Sequence, residues 1–258
     1  MRSLLPASTA ACLGLVLALV TGAAADEIRV AVASNFAAAM QAVAAGFEAR
    51  SGHRAVLAFG STGRHYAQIV NGAPFDVFFA ADETRPALLE QTGLAEPGSR
   101  FTYAQGRLVL WSPRAGYVDA QGDVLDNGFR HLAIANPRLA PYGRAAEEVL
   151  RALGLWDRVS DRLVRGENVA QAFQFVASGN AELGFVAAAQ LTQPAASDGS
   201  WWEVPGSLYG PITQQAVLLT GAAAAHSLLA YVRGPEGRRI IEQHGYGVPD
   251  LKVPGNAQ

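Results

Sequence analysis

The sequence predicts an α/β chain of two domains, each a mainly parallel sheet flanked by helices, joined by two strands that cross between them. Three observations predict it. Short apolar or β-branched runs alternate with amphipathic helical patterns through the first hundred residues, the signature of βαβ units. That rhythm breaks between Gly98 and Trp111, where two extended stretches follow one another with no helix between them. It then resumes, and Ile212 to Leu219 supplies a strand placed to cross back, so that the first domain is built from both chain ends. The expected boundaries are 26–105 and 217–258 for the first domain and 106–216 for the second, after a leader over 1–25.

Taken in order, Glu27 to Ala33 reads as a strand that turns at Ser34-Asn35 into a helix with Phe36, Met40, Val43, Ala44 and Phe47 on its apolar face; Asn35 is the expected N-cap. Ala55 to Phe59 is a second strand. It runs into Gly60-Ser61-Thr62-Gly63 and a helix carrying Tyr66, Ile69 and Val70, stopped by Asn71-Gly72. Pro74 to Ala81 and a helix over Arg85 to Gln91 follow. Phe101 to Ala104 and Arg107 to Trp111 are extended, and residues 112 to 131 read as loop. His131 to Ala135 is a strand, Asn136 to Gly143 a turn and Arg144 to Leu153 a helix. Asp161 to Arg165, a helix over Ala170 to Ala177, and a strand over Leu183 to Ala187 with a short helix to Thr192 come next. Residues 194 to 211 read as a loop whose Trp201 and Trp202 bury themselves at a domain edge. Ser227 to Arg233 and Glu236 to His244 close the chain as helices.

The first 25 residues have the form of a secretory leader. Arg2 supplies a positive start, Ala10 to Val20 is an apolar run short for a membrane span, and Ala23-Ala24-Ala25 is a small-residue cleavage site. The only cysteine, Cys12, lies inside it, which leaves no thiol for a disulfide or a metal. The formal charge is −2, and nothing in the chain forms a basic patch for nucleic acid. The expected location is therefore outside the cytoplasm, as a soluble protein.

Four loops share one chemistry: a strand ending in small or polar residues where a helix begins. They are Ser34-Asn35, Gly60-Ser61-Thr62-Gly63, Pro141-Tyr142-Gly143 and Asn168-Val169. The first N–H groups of a helix lack intrahelical partners and carry the positive end of its dipole, so such a loop suits an anion. A single one reads more simply as an ordinary helix cap. Four, two from each domain, at the carboxyl ends of strands, describe a pocket between the domains. Arg64, His65 and Arg144 sit just past the loop tips, where a solvent-facing position is the simpler reading.

The absences narrow the ligand. There is no GxxxxGK[ST] loop, no GxSxG elbow and no HExxH motif, and no loop tip carries a lysine. A hydrolase using Asp82, Glu147 or Glu148 with His65 lacks any nucleophile-and-base spacing, so no enzyme and no cofactor is expected. With neutral donors and only Glu167 and the more distant Asp82 to accept a proton, the pocket suits a fully ionised tetrahedral anion such as sulfate, molybdate or tungstate rather than hydrogen phosphate. A sensor domain of the same fold that binds no ligand is the remaining reading, and four intact donor loops argue against it.

The motifs VASNFAAAM, GSTGRHYAQIVNGAPFDVFFAAD, GSRFTYAQGRLVLWS, IANPRLAPYGRAAEEVLRALGLWD, GENVAQAF and SGNAELGFVA, in this order, closely resemble the periplasmic molybdate-binding proteins of ABC importers. The resemblance covers essentially the whole chain after the leader. It implies the type II periplasmic binding protein fold with two hinge strands, binding of molybdate and tungstate, and delivery to a membrane permease, with a sulfate binder as the alternative. Matched by motif, the family's oxyanion contacts fall on Ser34, Asn35, Ser61, Thr62, Tyr142 and Val169, and Asn35, Thr62, Tyr142 and Val169 are the expected direct contacts. Many members place a tyrosine just after the strand matching Gly184-Phe185-Val186, where this chain has Ala187. Tyr142 stands where those members have alanine, as in one branch of the family, and it contributes either its hydroxyl or only its N–H.

Overall fold

The computed structural model describes residues 25–249; the expected leader, all but its last residue Ala25, lies outside them. In chain order the elements are β1 (Glu27–Ala33), α1 (Ala37–Ser51), β2 (Arg54–Gly60), α2 (Thr62–Val70), β3 (Val77–Ala80), α3 (Thr84–Gln91), β4 (Phe101–Gly106) and β5 (Leu108–Ser112). They continue with α4 (Val124–Asn127), β6 (Leu132–Ala135), α5 (Pro141–Ala152), α6 (Trp156–Val159), β7 (Leu163–Gly166), α7 (Val169–Ala177) and β8 (Leu183–Ala187). β9 (Ser200–Glu203), β10 (Ile212–Leu218), α8 (Ala223–Arg233) and α9 (Pro235–Gln243) complete the described chain.

The strands form two five-stranded sheets, ordered β2-β1-β3-β10-β4 and β7-β6-β8-β5-β9. Each sheet with its helices is a lobe. Both sheets are mixed, with four of the five strands in each running the same way. β1 pairs in parallel with β2 and β3, and β6 with β7 and β8, as βαβ units require. β10 runs antiparallel to β3 and β4, and β5 antiparallel to β8 and β9. The reversal has a physical origin in the crossings. β4 passes directly into β5 of the other sheet with only Arg107 between them, and β9 returns to β10 across residues 204–211.

Each sheet is covered on both faces. In β1, Ile28, Val30 and Val32 pack with Phe36, Met40, Val43 and Phe47 beneath α1, α8 and α9, while Ala31 joins Ile69, Phe78 and Leu89 on the α2 and α3 side. In the second lobe Leu108, Leu110, Leu132 and Ile134 pack under α5, and Val109 and Trp111 face α7, where the Trp111 and Phe173 rings stack at 4.6 Å. The cluster under α5 continues through Ala33, Ala81 and Ile212 of the first lobe, so apolar packing joins the lobes at the strand ends.

Four local readings change. The segment 112–131 contains the single-turn helix α4, and the stretch 194–211 contains β9, which pairs with β5. Trp202 is buried in that pairing, but Trp201 lies half exposed on the other face, as alternation along a strand demands. α5 starts at Pro141 rather than Arg144, because proline at the first helical position is preorganised for it.

Candidate functional site

The carboxyl ends of β1, β2, β6 and β7 lead into the four loops. Ser34, Asn35, Ser61, Thr62, Tyr142 and Val169 are all buried there. Thr62 and Val169 are the first residues of α2 and α7 and Tyr142 the second of α5. Helix geometry gives their N–H groups no carbonyl within their own helix, and the three dipoles add positive potential at that end. Ser61 and Asn168 cap α2 and α7 by accepting from Arg64 N at 3.3 Å and Gln171 N at 3.1 Å.

Contacts across the lobes bring these loops together. Gly63 N donates to the Leu139 carbonyl at 2.8 Å, joining the start of α2 to the loop before α5. Ala170 N reaches Ser34 Oγ at 3.5 Å, joining α7 to the end of β1. Arg64 lies 3.0 Å from both carboxylate oxygens of Glu167, on the surface above them. Thr62 Oγ1 accepts from Ala81 N at 3.0 Å, which leaves the hydroxyl proton free to turn elsewhere.

Asn35 does not cap α1. It lies within a 3-10 turn, Ser34–Phe36, whose cap position is Ala33. Its Nδ2 donates to Gln214 Oε1 at 2.8 Å and to the Tyr246 hydroxyl at 3.2 Å, and Tyr246 donates back to the Asn35 carbonyl at 2.6 Å. Both amide protons are therefore held inside the protein. Gln214 also accepts from the Tyr103 hydroxyl at 3.0 Å and reaches the Tyr142 hydroxyl at 3.5 Å through Nε2. Burial raises the pKa of Tyr103, Tyr142 and Tyr246 well above the usual phenol value, so all three remain neutral donors.

The residues beside the loops are placed differently from expectation in one case. His65 is buried, edge-on to Phe75 and Phe78, with Nδ1 3.1 Å from Gln68 Oε1. Its spacing from Thr62 and Ile69 puts all three on the inner face of α2. Burial lowers its pKa, which keeps the ring neutral. Arg144 is exposed beside Glu148. The carboxylates are all engaged: Asp82 by Arg85, Glu167 by Arg64, Glu147 by Arg151, and Glu148 by Gly210 N at 2.8 Å. Among the described residues no group of three or more His, Cys, Asp or Glu side chains is placed to hold a metal ion, and no helix is long and apolar enough to cross a membrane.

Sequence reasoning missed Gln214, Tyr103 and Tyr246, which support the loops from elements far away in sequence. The adjacent polar pair Gln214-Gln215 in an otherwise apolar strand was the available signal.

Comparison with known proteins follows the same lines. A family model described as bacterial extracellular solute-binding protein matches residues 28–247. The molybdate-binding protein ModA of Azotobacter vinelandii is 53% identical over 235 residues, which span 89% of this chain and 93% of that protein. ModA of Rhodobacter capsulatus is 47% identical over 240 residues, 92% of this chain and 94% of that one. Among solved structures, the periplasmic molybdate-binding protein of Azotobacter vinelandii superposes with a TM-score of 0.83 at 48% identity, covering 86% of this chain and 100% of its own. The sulfate-binding protein SubI of Mycobacterium tuberculosis H37Rv shares the fold, with a TM-score of 0.72 at 13% identity over 88% of each chain.

Proposed function

The chain belongs to the bacterial extracellular solute-binding proteins, and from that premise we propose that it captures molybdate, and tungstate as a tetrahedron of the same charge, between its two lobes and delivers it to the permease of an ABC importer. The observation that carries this reading is the convergence of four donor loops, through Gly63 with Leu139, Ser34 with Ala170, and Asn35 with Gln214, which in turn reaches Tyr142. The identities to the ModA proteins support molybdate as the anion.

In this reading the direct donors are the N–H groups of Asn35, Thr62, Tyr142 and Val169 with the hydroxyls of Ser34, Ser61, Thr62 and Tyr142. The Asn35 side chain acts as scaffold, because its two Nδ2 protons are already given to Gln214 and Tyr246. Each charge-assisted donor contributes about 1.5 to 3 kcal/mol, one to two decades in affinity. We place the domain division at 26–105 with 217–258 and at 106–216, a cut that falls inside β10 of the first lobe's sheet, and take the β4 to β5 and β9 to β10 passages as hinges. The anion touches both lobes only when they meet, so its differential affinity populates the closed arrangement.

The same geometry disfavours other classes. Asp82 and Glu167, the carboxylates beside the loops, are held by Arg85 and Arg64, which ties them to cations of the chain itself and makes them poor acceptors for the proton of hydrogen phosphate. The candidate catalytic groups Asp82, Glu147, Glu148 and His65 are separately engaged and form no nucleophile-and-base pair, so we propose binding without catalysis and without a cofactor. A soluble periplasmic monomer released from its leader after Ala25 completes the proposal.

A competition series by isothermal titration with molybdate, tungstate, sulfate and phosphate tests it. Tight binding of molybdate that excess sulfate does not displace is the expected result. Preference for sulfate would move the function to sulfate uptake on the same fold.

A further inference from the structure

Gln214 stands outside the set of loops that face the anion, yet it lies at the centre of their support. It is fully buried on β10. The directions of its hydrogen bonds follow from its neighbours. The Tyr246 hydroxyl gives its single proton to the Asn35 carbonyl at 2.6 Å, so it can only accept from the Asn35 side chain, and Nδ2 must face it. The other Nδ2 proton then goes to Gln214 Oε1, which turns Gln214 Nε2 toward Tyr142. An amide nitrogen of this kind only donates. The Tyr142 oxygen is therefore the acceptor, and its own proton is directed away from Gln214.

We propose that Gln214 is a specificity-determining positioning residue: by occupying the acceptor side of the Tyr142 hydroxyl, it makes that hydroxyl a pure proton donor and excludes anions that carry a proton of their own. This rests on the oxyanion reading above. A phenol free to rotate can turn a lone pair toward a ligand and accept a proton from it. Here that rotation breaks the bond from Gln214 and leaves a buried amide N–H without a partner.

Gly106 supplies a second observation. A Cβ built on it would overlap the Tyr142 hydroxyl and lie 2.9 Å from Gln214 Nε2. The absent side chain at the end of β4 is what lets the phenol approach the amide. Tyr142 belongs to the second lobe and Gln214 to the first sheet, so the bond forms where the chain crosses between them.

The test is isothermal titration of the purified protein with molybdate and with inorganic phosphate, using Gln214→Met, the near-isosteric Gln214→Glu, Tyr142→Phe and the Gln214→Met/Tyr142→Phe double variant, each checked for folding by its melting curve. The unaltered protein is expected to bind molybdate and not phosphate. Gln214→Met should lower the molybdate-over-phosphate preference about tenfold or more, the effect of one misdirected charge-assisted bond. Gln214→Glu, read at a pH where its carboxyl is ionised, can only accept, so it draws the Tyr142 proton to itself and should lower the preference in the same direction. In the Tyr142→Phe background, Gln214→Met should change the preference by less than about threefold, since residues acting through one hydroxyl are coupled. Folded Gln214 variants that keep the full preference, or an equal effect of Gln214→Met with and without the hydroxyl, would overturn the inference while leaving the site intact. Failure of the unaltered protein to bind molybdate would overturn the oxyanion reading and this inference together.

Discussion

The Gly63 N–H donates to the carbonyl of Leu139 at 2.8 Å, and a Cβ on Gly63 would stand 2.9 Å from that oxygen and 3.1 Å from the Leu139 Cα. The start of α2 and the loop before α5 thus meet backbone to backbone. Within a helix alanine is preferred over glycine by about 1 kcal/mol, so the reason for glycine here lies in the opposite lobe. Gly63→Ala should melt at the same or a higher temperature without ligand and bind molybdate at least about tenfold more weakly, because only closure meets the added methyl. Calorimetric melting and titration on the same sample check both halves.

Thr62 ties the start of α2 to the end of β3, accepting from Ala81 N and leaving its hydroxyl proton free. Thr62→Ala removes that donor and strips Ala81 N of its partner, so molybdate affinity should fall about 10- to 100-fold. Thr62→Ser retains the hydroxyl and should stay within about threefold of the unaltered protein. Equal losses in the two variants would show that the methyl packing of Thr62 matters and its hydroxyl does not.

The Arg64 and Glu167 pair spans the lobes but is largely open to solvent, with side chains 57% and 30% exposed. Such pairs contribute between zero and about 1 kcal/mol. Arg64→Ala should therefore weaken molybdate binding by no more than about fivefold, and the difference should shrink as salt rises. Titrations at low and high ionic strength read this directly.

Glu182 gives the fold a defined acid response. Burial alone would raise its pKa, but the bond from His131 N at 2.8 Å and the Arg130 guanidinium at 3.0 Å outweigh it and hold the carboxyl at about 2, below its ordinary 4.5. Folding therefore favours the ionised form, and its contribution is complete above pH 4.5 and is lost as pH falls toward 2. Glu182→Gln should cost about 1 to 3 kcal/mol at neutral pH, and the gap from the unaltered protein should close through that acid window. A gap that persists at pH 2 would assign the loss to packing.

Much of this was legible in the chain because it is local. Ser61 and Asn168 announce their caps by their position before an apolar helical pattern, and the structure gives each the expected bond to the third residue beyond it. Asn35 has the same local signal and a different role, because Tyr246 and Gln214, distant in sequence, compete for its amide and hold it in a 3-10 turn. β9 escaped reading because its only partner among the described residues is β5, some ninety residues earlier, and its four residues carry no period of their own. The antiparallel course of β5 and β10 follows from the crossings, which no local pattern encodes. His65 was readable in principle: Thr62, His65 and Ile69 follow helical spacing, and the polar type of the first two concealed an inner face.

The central claim is that the converging loops form a site for a fully ionised tetrahedral anion that closes the two lobes. Isothermal titration with molybdate in the presence of excess sulfate, followed by small-angle scattering of the same samples, tests it most directly. The expected result is one-to-one binding that sulfate does not displace, with a smaller radius of gyration once molybdate is added. Absence of heat with every tetrahedral oxyanion, or binding that leaves the dimensions unchanged, would contradict it.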